Sequence, residues 1–203
     1  MPKIDAPSVA EHRERLQRRL VDAAEELLRD GQPLTAGAVS QAAGIARNSI
    51  YRYVDSVDDL RALVAERHLP EWMDSIAAAT RGTAPADAVV ACVQVNLDEA
   101  IRTGHHWFFA GAATRPRRSD DVEAARIAHD AVRGPLVDAW VALLGVDPST
   151  REGETRVRMA VFLTVGLLDA AFARLDGAIP AETVRDMTVA AARGVVDALA
   201  AGE

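Results

Sequence analysis

A short segment near the start of the chain holds side chains suited to recognising a nucleic acid. Residues 47–53 read Arg-Asn-Ser-Ile-Tyr-Arg-Tyr, and within them only Ile50 lacks a hydrogen-bonding group. Arginine and asparagine can make paired hydrogen bonds to base edges, and hydroxyl groups can donate to phosphate oxygens. We therefore predict contact with double-stranded DNA through this segment, by Arg47, Asn48, Ser49, Tyr51, Arg52 and Tyr53.

The charge distribution fits contact with DNA at one end of the molecule. The net charge of -7 would repel a polyanion if it were evenly spread. Residues 1–54, however, contain 8 Lys/Arg and 7 Asp/Glu, net +1, and the remainder contains 15 and 23, net -8. Residues 31–54 include two arginines and no acid, as expected of a small surface that approaches phosphates.

The elements around this segment predict a helix-turn-helix. Two short helices are expected, over Thr35 to Ala43 and over Arg47 to Val54, with Gly44 supplying the turn between them. A small residue, Ser40, allows the helices to approach, and apolar residues face inward at Val39, Ala43, Ile45 and Ile50. The second helix then protrudes and can enter the major groove.

The rest of the chain also reads as helical, so the predicted fold class is all-α. Apolar residues recur with a period of 3.6, and alternating strand patterns do not occur. A first helix is expected from a cap at Ser8 to Gly31, and a fourth helix from the Ser56 and Asp59 cap, which Pro70 should end or kink. Further helices are predicted over 83–102, between Gly104 and Pro116, over 120–146 with an interruption at Gly134-Pro135, from 149 to Leu175, and over 180–200.

The stretch from Arg18 to Glu71 resembles the tetracycline-repressor (TetR) family of bacterial transcriptional regulators. The matching segments are Ala23-Ala24, the bend at Gly31, Ala42-Ala43-Gly44-Ile45, Ser49-Ile50-Tyr51-Arg52-Tyr53-Val54 and Ser56-Val57-Asp58-Asp59-Leu60. The resemblance implies that Tyr51, Tyr53 and Thr35 lie at phosphates and that Arg47, Asn48 and Ser49 lie at the groove. Two departures occur. Val57 stands where the family usually has a phosphate-binding lysine, and Val54 stands where it has phenylalanine, so one phosphate contact fewer is expected.

The resemblance also implies an architecture: a DNA-binding domain over residues 8–56 and a helical regulatory domain over residues 57–203. The function it implies is that of a transcriptional repressor that a small molecule releases from its operator. A homodimer on an inverted-repeat operator is expected, formed by the helices at Val157 to Arg174 and Pro180 to Ala200. We predict interface positions at Val161, Gly166, Leu168, Val184, Met187, Ala191 and Val195.

A binding site for the small-molecule effector is expected in the regulatory domain. Its predicted lining is a set of aromatic residues with two polar residues from otherwise apolar helices, namely Asn96, Trp107, Phe108, Trp140, Phe162 and Asp169. Two alternatives stay open. The aromatic residues also fit plain core packing, and Asp169 also fits an ion pair at the dimer interface.

The main alternative to a regulator is a helical metal-dependent phosphohydrolase. Its ligands would be His105 or His106, then His129-Asp130, then Asp169, but adjacent histidines point to different faces of a helix. No other catalytic motif occurs, and Cys92 among valines fits an inert buried thiol. We therefore expect no enzymatic activity, no metal and no cofactor.

Two further expectations concern the first helix and the cellular location. Arginines 13, 15, 18 and 19 could form an arm that reaches DNA, but they alternate with Glu11 and Glu14, which favours a solvated helix face. A single cysteine and a start without an apolar signal sequence predict a cytoplasmic protein. The longest apolar stretch, Met159 to Ala173, is shorter than the roughly 20 residues that a membrane span needs.

Overall fold

The computed structural model describes residues 9–104, 133–175 and 177–201, and within these ranges its regular structure is helical, which confirms the all-α class. The elements are α1 (Val9–Arg29), α2 (Ala36–Ala43), a 3-10 helix (Arg47–Arg52), α3 (Asp58–Thr80), α4 (Pro85–Thr103), α5 (133–144), α6 (Arg151–Phe172) and α7 (Ala181–Ala200). The predicted cap at Ser8, the predicted helix between Gly104 and Pro116 and the start of the one over 120–146 lie outside the described residues.

The described residues fall into two compact units. The first comprises residues 9–67, and the second comprises 68–104, 133–175 and 177–201. The division lies within α3, and the domain boundary after residue 56 stays a prediction. In the first unit each helix contributes a side chain with no exposed surface; these include Leu20, Val39, Ile50, Leu60 and Val64.

Local capping explains where the helices of the first unit begin and end. At the end of α1, Gly31 has a φ of 64°, and the N–H of Gln32 donates to the carbonyl of Leu27 at 2.8 Å. Before α3, the N–H of Asp59 donates to Ser56 Oγ at 3.1 Å, and the N–H of Ser56 donates to Asp59 Oδ2 at 2.7 Å. These are the glycine stop and the reciprocal cap that the sequence predicts.

Pro70 does not end the helix in which it lies. The α3 helix continues through Pro70 to Thr80, and Gly134 and Pro135 both lie within the helical residues 133–144. The residues before 133 lie outside the described ranges, so the predicted interruption at this dipeptide stays a prediction. Tertiary packing outweighs the lost hydrogen bond at Pro70, because Trp72 and Ile76, in the turns that follow it, are 2% and 1% exposed.

In the second unit α4 packs against both α6 and α7, which also pack against each other. Three successive turns of α4 bury Val89, Val93 and Leu97 completely. Ion pairs at the margin join α4 to α7: Arg185 bonds to Asp98, and Arg193 Nη2 lies 2.8 Å from Asp87 Oδ1. These pairs are partly exposed and each contributes little stability, so apolar burial holds the unit together.

Cys92 of α4 lies in this core. It is a free cysteine, 2% exposed, and burial raises the pKa of its thiol to about 11. The neutral thiol is therefore the form present near pH 7, and the thiolate that would act as a nucleophile is scarce. None of the helices in the described ranges combines the length and hydropathy needed to cross a membrane.

The start of α6 depends on a glycine. Thr150 Oγ1 accepts a hydrogen bond from the N–H of Gly153 at 3.1 Å, and a Cβ at Gly153 would lie 2.0 Å from the carbonyl oxygen of Asp147. No side chain fits there without moving the backbone of the preceding turn. Gly134 offers a contrast in the same unit, since a Cβ there meets nothing within 4 Å.

We expect Gly153→Ala to lower the free energy of unfolding by about 1 to 3 kcal/mol. The new methyl group collides with the carbonyl of Asp147 and disrupts the hydrogen-bonded start of α6. Chemical denaturation measures this change. The matched control, Gly134→Ala, should cause no loss of stability. Equal stability of Gly153→Ala and the unmodified protein would contradict the packing described here.

Candidate nucleic-acid interface

The α2 helix is capped at both ends. Thr35 Oγ1 accepts a hydrogen bond from the N–H of Ala38 at 3.1 Å. At the other end Gly44 adopts the left-handed conformation with a φ of 63°, and the N–H of Ile45 donates to the carbonyl of Ser40 at 3.0 Å. A left-handed residue reverses the chain there at little cost only if it is glycine, so Gly44 makes the turn as predicted.

Ser40 occupies a buried position on α2, which packs against both α1 and the 3-10 helix. Its hydroxyl donates to the carbonyl of Gly37 at 2.9 Å. The hydrogen bond is thus satisfied within the helix, and the small side chain takes up little room. This agrees with the prediction that a small residue lets the two helices approach.

The second helix of the motif is shorter and tighter than predicted. It was expected as a helix over Arg47 to Val54, but the structure has a 3-10 helix over Arg47–Arg52. The N–H of Ser49 donates to the carbonyl of Ala46 at 2.8 Å. Asparagine, serine and tyrosine favour an α-helix only weakly, and Ala46 provides no side-chain cap, so the short element adopts the tighter form.

The 3-10 geometry separates an inward face from an outward face. Residues three apart lie above one another in such a helix, so Asn48 and Tyr51 share a side. Both are exposed, Tyr51 to 56%, whereas Ile50 has no exposed surface. One buried isoleucine therefore holds an element whose polar side chains face solvent.

The structure places the other predicted DNA contacts on the same two elements of the motif. Thr35, Arg47 and Arg52 are exposed, while Ser49 and Tyr53 are half-buried. Thr35 caps α2, and the others belong to or directly follow the 3-10 helix. Each is accessible to a ligand.

Acidic side chains of α1 are engaged within the first unit. Asp22 Oδ1 and Glu25 Oε2 each lie 2.8 Å from Arg67 Nη1 of α3. With no acid in residues 31–54, the charges carried by the motif itself are those of Arg47 and Arg52. The motif is electrostatically suited to a polyanion although the chain as a whole is acidic.

Asn96, a predicted effector contact, lies in the core of the second unit and is 1% exposed. Its Oδ1 accepts a hydrogen bond from Trp72 Nε1 at 2.9 Å, and its Nδ2 donates to the carbonyl of Cys92 at 2.7 Å. Sequence reasoning did not pair Asn96 with Trp72, because they are far apart in the chain and no local pattern links them.

Trp140 is also fully buried. Its Nε1 donates to Thr164 Oγ1 at 3.1 Å, and that hydroxyl donates to the carbonyl of Ala160 at 2.9 Å. Phe162, by contrast, is 68% exposed, and Asp169 is half-buried. Trp107 and Phe108 lie outside the described residues, so the predicted effector site stays a prediction.

Helices α6 and α7 carry exposed apolar residues, which we call the α6–α7 face. Its largest members are Met187 at 69%, Phe162 at 68%, Met159 at 55% and Leu163 at 40% exposed. Small exposed residues on the same helices complete it: Gly166, Ala170, Ala190, Ala191 and Gly194. Large exposed apolar patches on globular proteins are commonly interaction surfaces.

The predicted dimer positions divide between this face and the interior. Gly166, Met187 and Ala191 are exposed on the α6–α7 face. Val161, Leu168 and Val184 are instead 1%, 3% and 6% exposed, and they pack, together with half-buried Val195, in the core of the second unit. Met159 and Leu163 were not among the predicted interface positions, and they share this face of α6 with Phe162, which was predicted for the effector site. Both assignments stay predictions.

The metal-site alternative finds no support in the described ranges. No group of three or more His, Cys, Asp or Glu side chains there could hold a metal ion. His105, His106, His129 and Asp130 lie outside those ranges, so the predicted ligand set as a whole cannot be placed.

Comparison with known proteins gives matches at the level of structure. No protein-family model and no curated protein matches the sequence. A TetR-family transcriptional regulator from Streptomyces coelicolor is 19% identical, with a TM-score of 0.62 over 97% of this chain and 85% of that one. A transcriptional regulator from Rhodococcus sp. Rha1 is 26% identical, with a TM-score of 0.60 over 94% and 96%.

A further similar structure is the transcriptional regulator FadR from Bacillus subtilis in complex with stearoyl-CoA. It is 13% identical, with a TM-score of 0.60 over 92% of this chain and 98% of that one. These matches span nearly the whole chain and not only the helix-turn-helix. The chain has the fold of the TetR family of transcriptional regulators.

Proposed function

We propose that this protein is a sequence-specific DNA-binding transcriptional regulator, a repressor that a small-molecule effector releases from its operator. The observation that carries the proposal is the 3-10 helix, in which buried Ile50 supports a solvent-facing set of polar side chains. The solved structures of similar fold are described as transcriptional regulators, which supports the same function.

The polar residues suit two kinds of contact. Arg47 and Asn48 have side chains able to pair with base edges in the major groove. The hydroxyls of Tyr51, Tyr53 and Thr35 suit phosphate oxygens, which position a protein without reading sequence. Val57 puts no cation directly before α3, so we propose one phosphate contact fewer and a correspondingly weaker dependence on salt.

A second copy of the chain is the proposed occupant of the α6–α7 face. One short helix, such as the 3-10 helix, makes too few contacts with DNA for specific affinity. A two-fold dimer doubles these contacts and requires an inverted-repeat operator. The face combines large apolar side chains with glycine and alanine. A Cβ at Gly166 would meet nothing within 4 Å in the single chain, which leaves room for a partner helix to approach closely.

The proposed effector is a small, partly apolar molecule bound by the second unit. The FadR structure from Bacillus subtilis contains stearoyl-CoA, so a long-chain acyl-CoA is a suitable first probe. An effector that reached Asn96 would replace the hydrogen bond from Trp72. Its arrival would thus change the surroundings of a buried tryptophan.

For DNA recognition we expect two different mutational effects. Arg47→Ala should cost about 1 to 3 kcal/mol of binding free energy and relax preference at one base pair. Tyr51→Phe should weaken binding to all sequences alike, by about 1 kcal/mol, because it loses one hydrogen bond to phosphate. Titration of operators selected from a random DNA pool, and of scrambled DNA, measures both effects.

The matched control for these variants is Arg151→Ala, which removes an exposed arginine from the second unit and should leave affinity unchanged. If neither Arg47→Ala nor Tyr51→Phe alters binding, the assignment of the interface is wrong. If no sequence is enriched from the pool by the unmodified protein, sequence-specific DNA binding itself is refuted.

For the dimer we expect Phe162→Glu or Met187→Glu to produce folded monomers that lose operator binding, since a charge would be buried without a partner. Sedimentation measures the association state. Ala142→Glu places the same charge at an exposed position of α5 and should remain dimeric. Finding the unmodified protein monomeric at micromolar concentration would refute the proposed interface.

For the effector we expect stearoyl-CoA or a hit from a metabolite screen to alter tryptophan fluorescence and to weaken operator binding. A tenfold effect corresponds to about 1.4 kcal/mol of coupling, and operator DNA must weaken effector binding by the same factor. Titration of the hit with and without operator measures both directions. A hit whose affinity ignores DNA would contradict effector release.

A further inference from the structure

Arg19 of α1 reaches the turn of the helix-turn-helix. Its Nη2 donates a hydrogen bond to the carbonyl oxygen of Ala43, the last residue of α2. A Cβ at Gly44 would lie 3.1 Å from the same nitrogen. The guanidinium group therefore lies directly against the turn.

The carbonyl that Arg19 reaches is one that the helix itself cannot satisfy, because the last carbonyls of an α-helix have no intrahelical donor. Those of Ser40 and Gln41 accept from the N–H groups of Ile45 and Gly44 at 3.0 and 3.2 Å. Ala43, further along, receives the arginine. A cation at a helix C-terminus is favoured by the helix dipole, and a charged donor makes a stronger hydrogen bond.

We infer that Arg19 is a positioning residue for DNA recognition: by tying the end of α2 to α1, it sets the direction in which the chain enters the 3-10 helix. Three residues, Gly44 to Ala46, separate the tied carbonyl from Arg47. Any movement of that carbonyl therefore also displaces the start of the 3-10 helix. The inference rests on the proposed DNA-binding function.

This role differs from that of a basic arm on α1 that touches phosphate. Each phosphate contact contributes about 0.9 to the slope of log affinity against log salt concentration. A residue that acts through the turn contributes nothing to that slope. The salt dependence therefore separates the two roles even when both variants lower the affinity.

The first experiment titrates selected operator DNA at several salt concentrations. We expect Arg19→Ala to bind about tenfold more weakly with an unchanged salt slope. Arg19→Lys should recover most of the affinity, since an ammonium group can also donate to a carbonyl. Arg18→Ala, at the exposed neighbouring position, is the matched control and should bind normally.

A second readout needs no DNA. Tyr51 and Tyr53 are the two tyrosines of the chain. Fluorotyrosine NMR therefore reports only on the 3-10 helix and the residue that follows it. We expect Arg19→Ala to shift both resonances, and Arg19→Lys and Arg18→Ala to leave them in place. If the unmodified protein binds no DNA, the proposed function fails, while the tyrosine spectra still decide whether Arg19 positions the element.

Arg19→Gln keeps the test decisive if the alanine variant fails to fold. Its side chain carries no charge and ends two bonds short of the arginine Nη2 position, so we expect shifted tyrosine resonances and an unchanged salt slope. A slope reduced by about 0.9 in Arg19→Gln would show a phosphate contact and overturn the inference. Unchanged affinity together with unshifted resonances in a folded Arg19→Ala would also overturn it.

Discussion

The burial of Ile50 is the constraint on which the exposed polar surface of the 3-10 helix depends. A six-residue helix has no stability of its own in water, because nucleating a helix costs more than so few hydrogen bonds return. Full burial of one isoleucine side chain contributes about 1.5 to 3 kcal/mol. The other residues of the 3-10 helix therefore need not pack in the interior and can carry polar side chains that face solvent. The 3-10 helix packs against α2, and Ile50 has no exposed surface.

In the second unit, α6 and α7 have apolar residues on two faces. One face packs against α4 and includes Val161, Leu168 and Val184. The other carries methionine, phenylalanine, glycine and alanine in the open. Large permanent interfaces between subunits resemble a protein core cut in half, which is why a second copy of the chain is the occupant that we propose for this face. In the proposed dimer, methionine and phenylalanine would provide contact area, and glycine and alanine would permit close approach.

Features set by local interactions were predictable from the sequence, and features set by tertiary packing were not. The glycine turns at Gly31 and Gly44 and the Ser56 cap depend on residues within one turn of the chain, so residue type was enough. On α6 both faces are apolar, and periodicity cannot tell which one covers the core of the same chain. Leu168, which was predicted at the dimer interface, accordingly lies in the core, and Phe162, which was predicted at the effector site, is exposed. The 3-10 form of the second motif helix was missed because the weak α-helix propensity of its residues and the lack of a side-chain cap at Ala46 were not weighed against the periodicity.

The state of Cys92 has a practical consequence for labelling. Because its thiol is buried and remains protonated near pH 7, maleimide and iodoacetamide reagents should not modify Cys92 in the folded protein. A cysteine introduced at an exposed position would then be the single reactive thiol of each chain. Fluorescent or paramagnetic probes could be attached there without first replacing the natural cysteine, which leaves the packing of α4 intact.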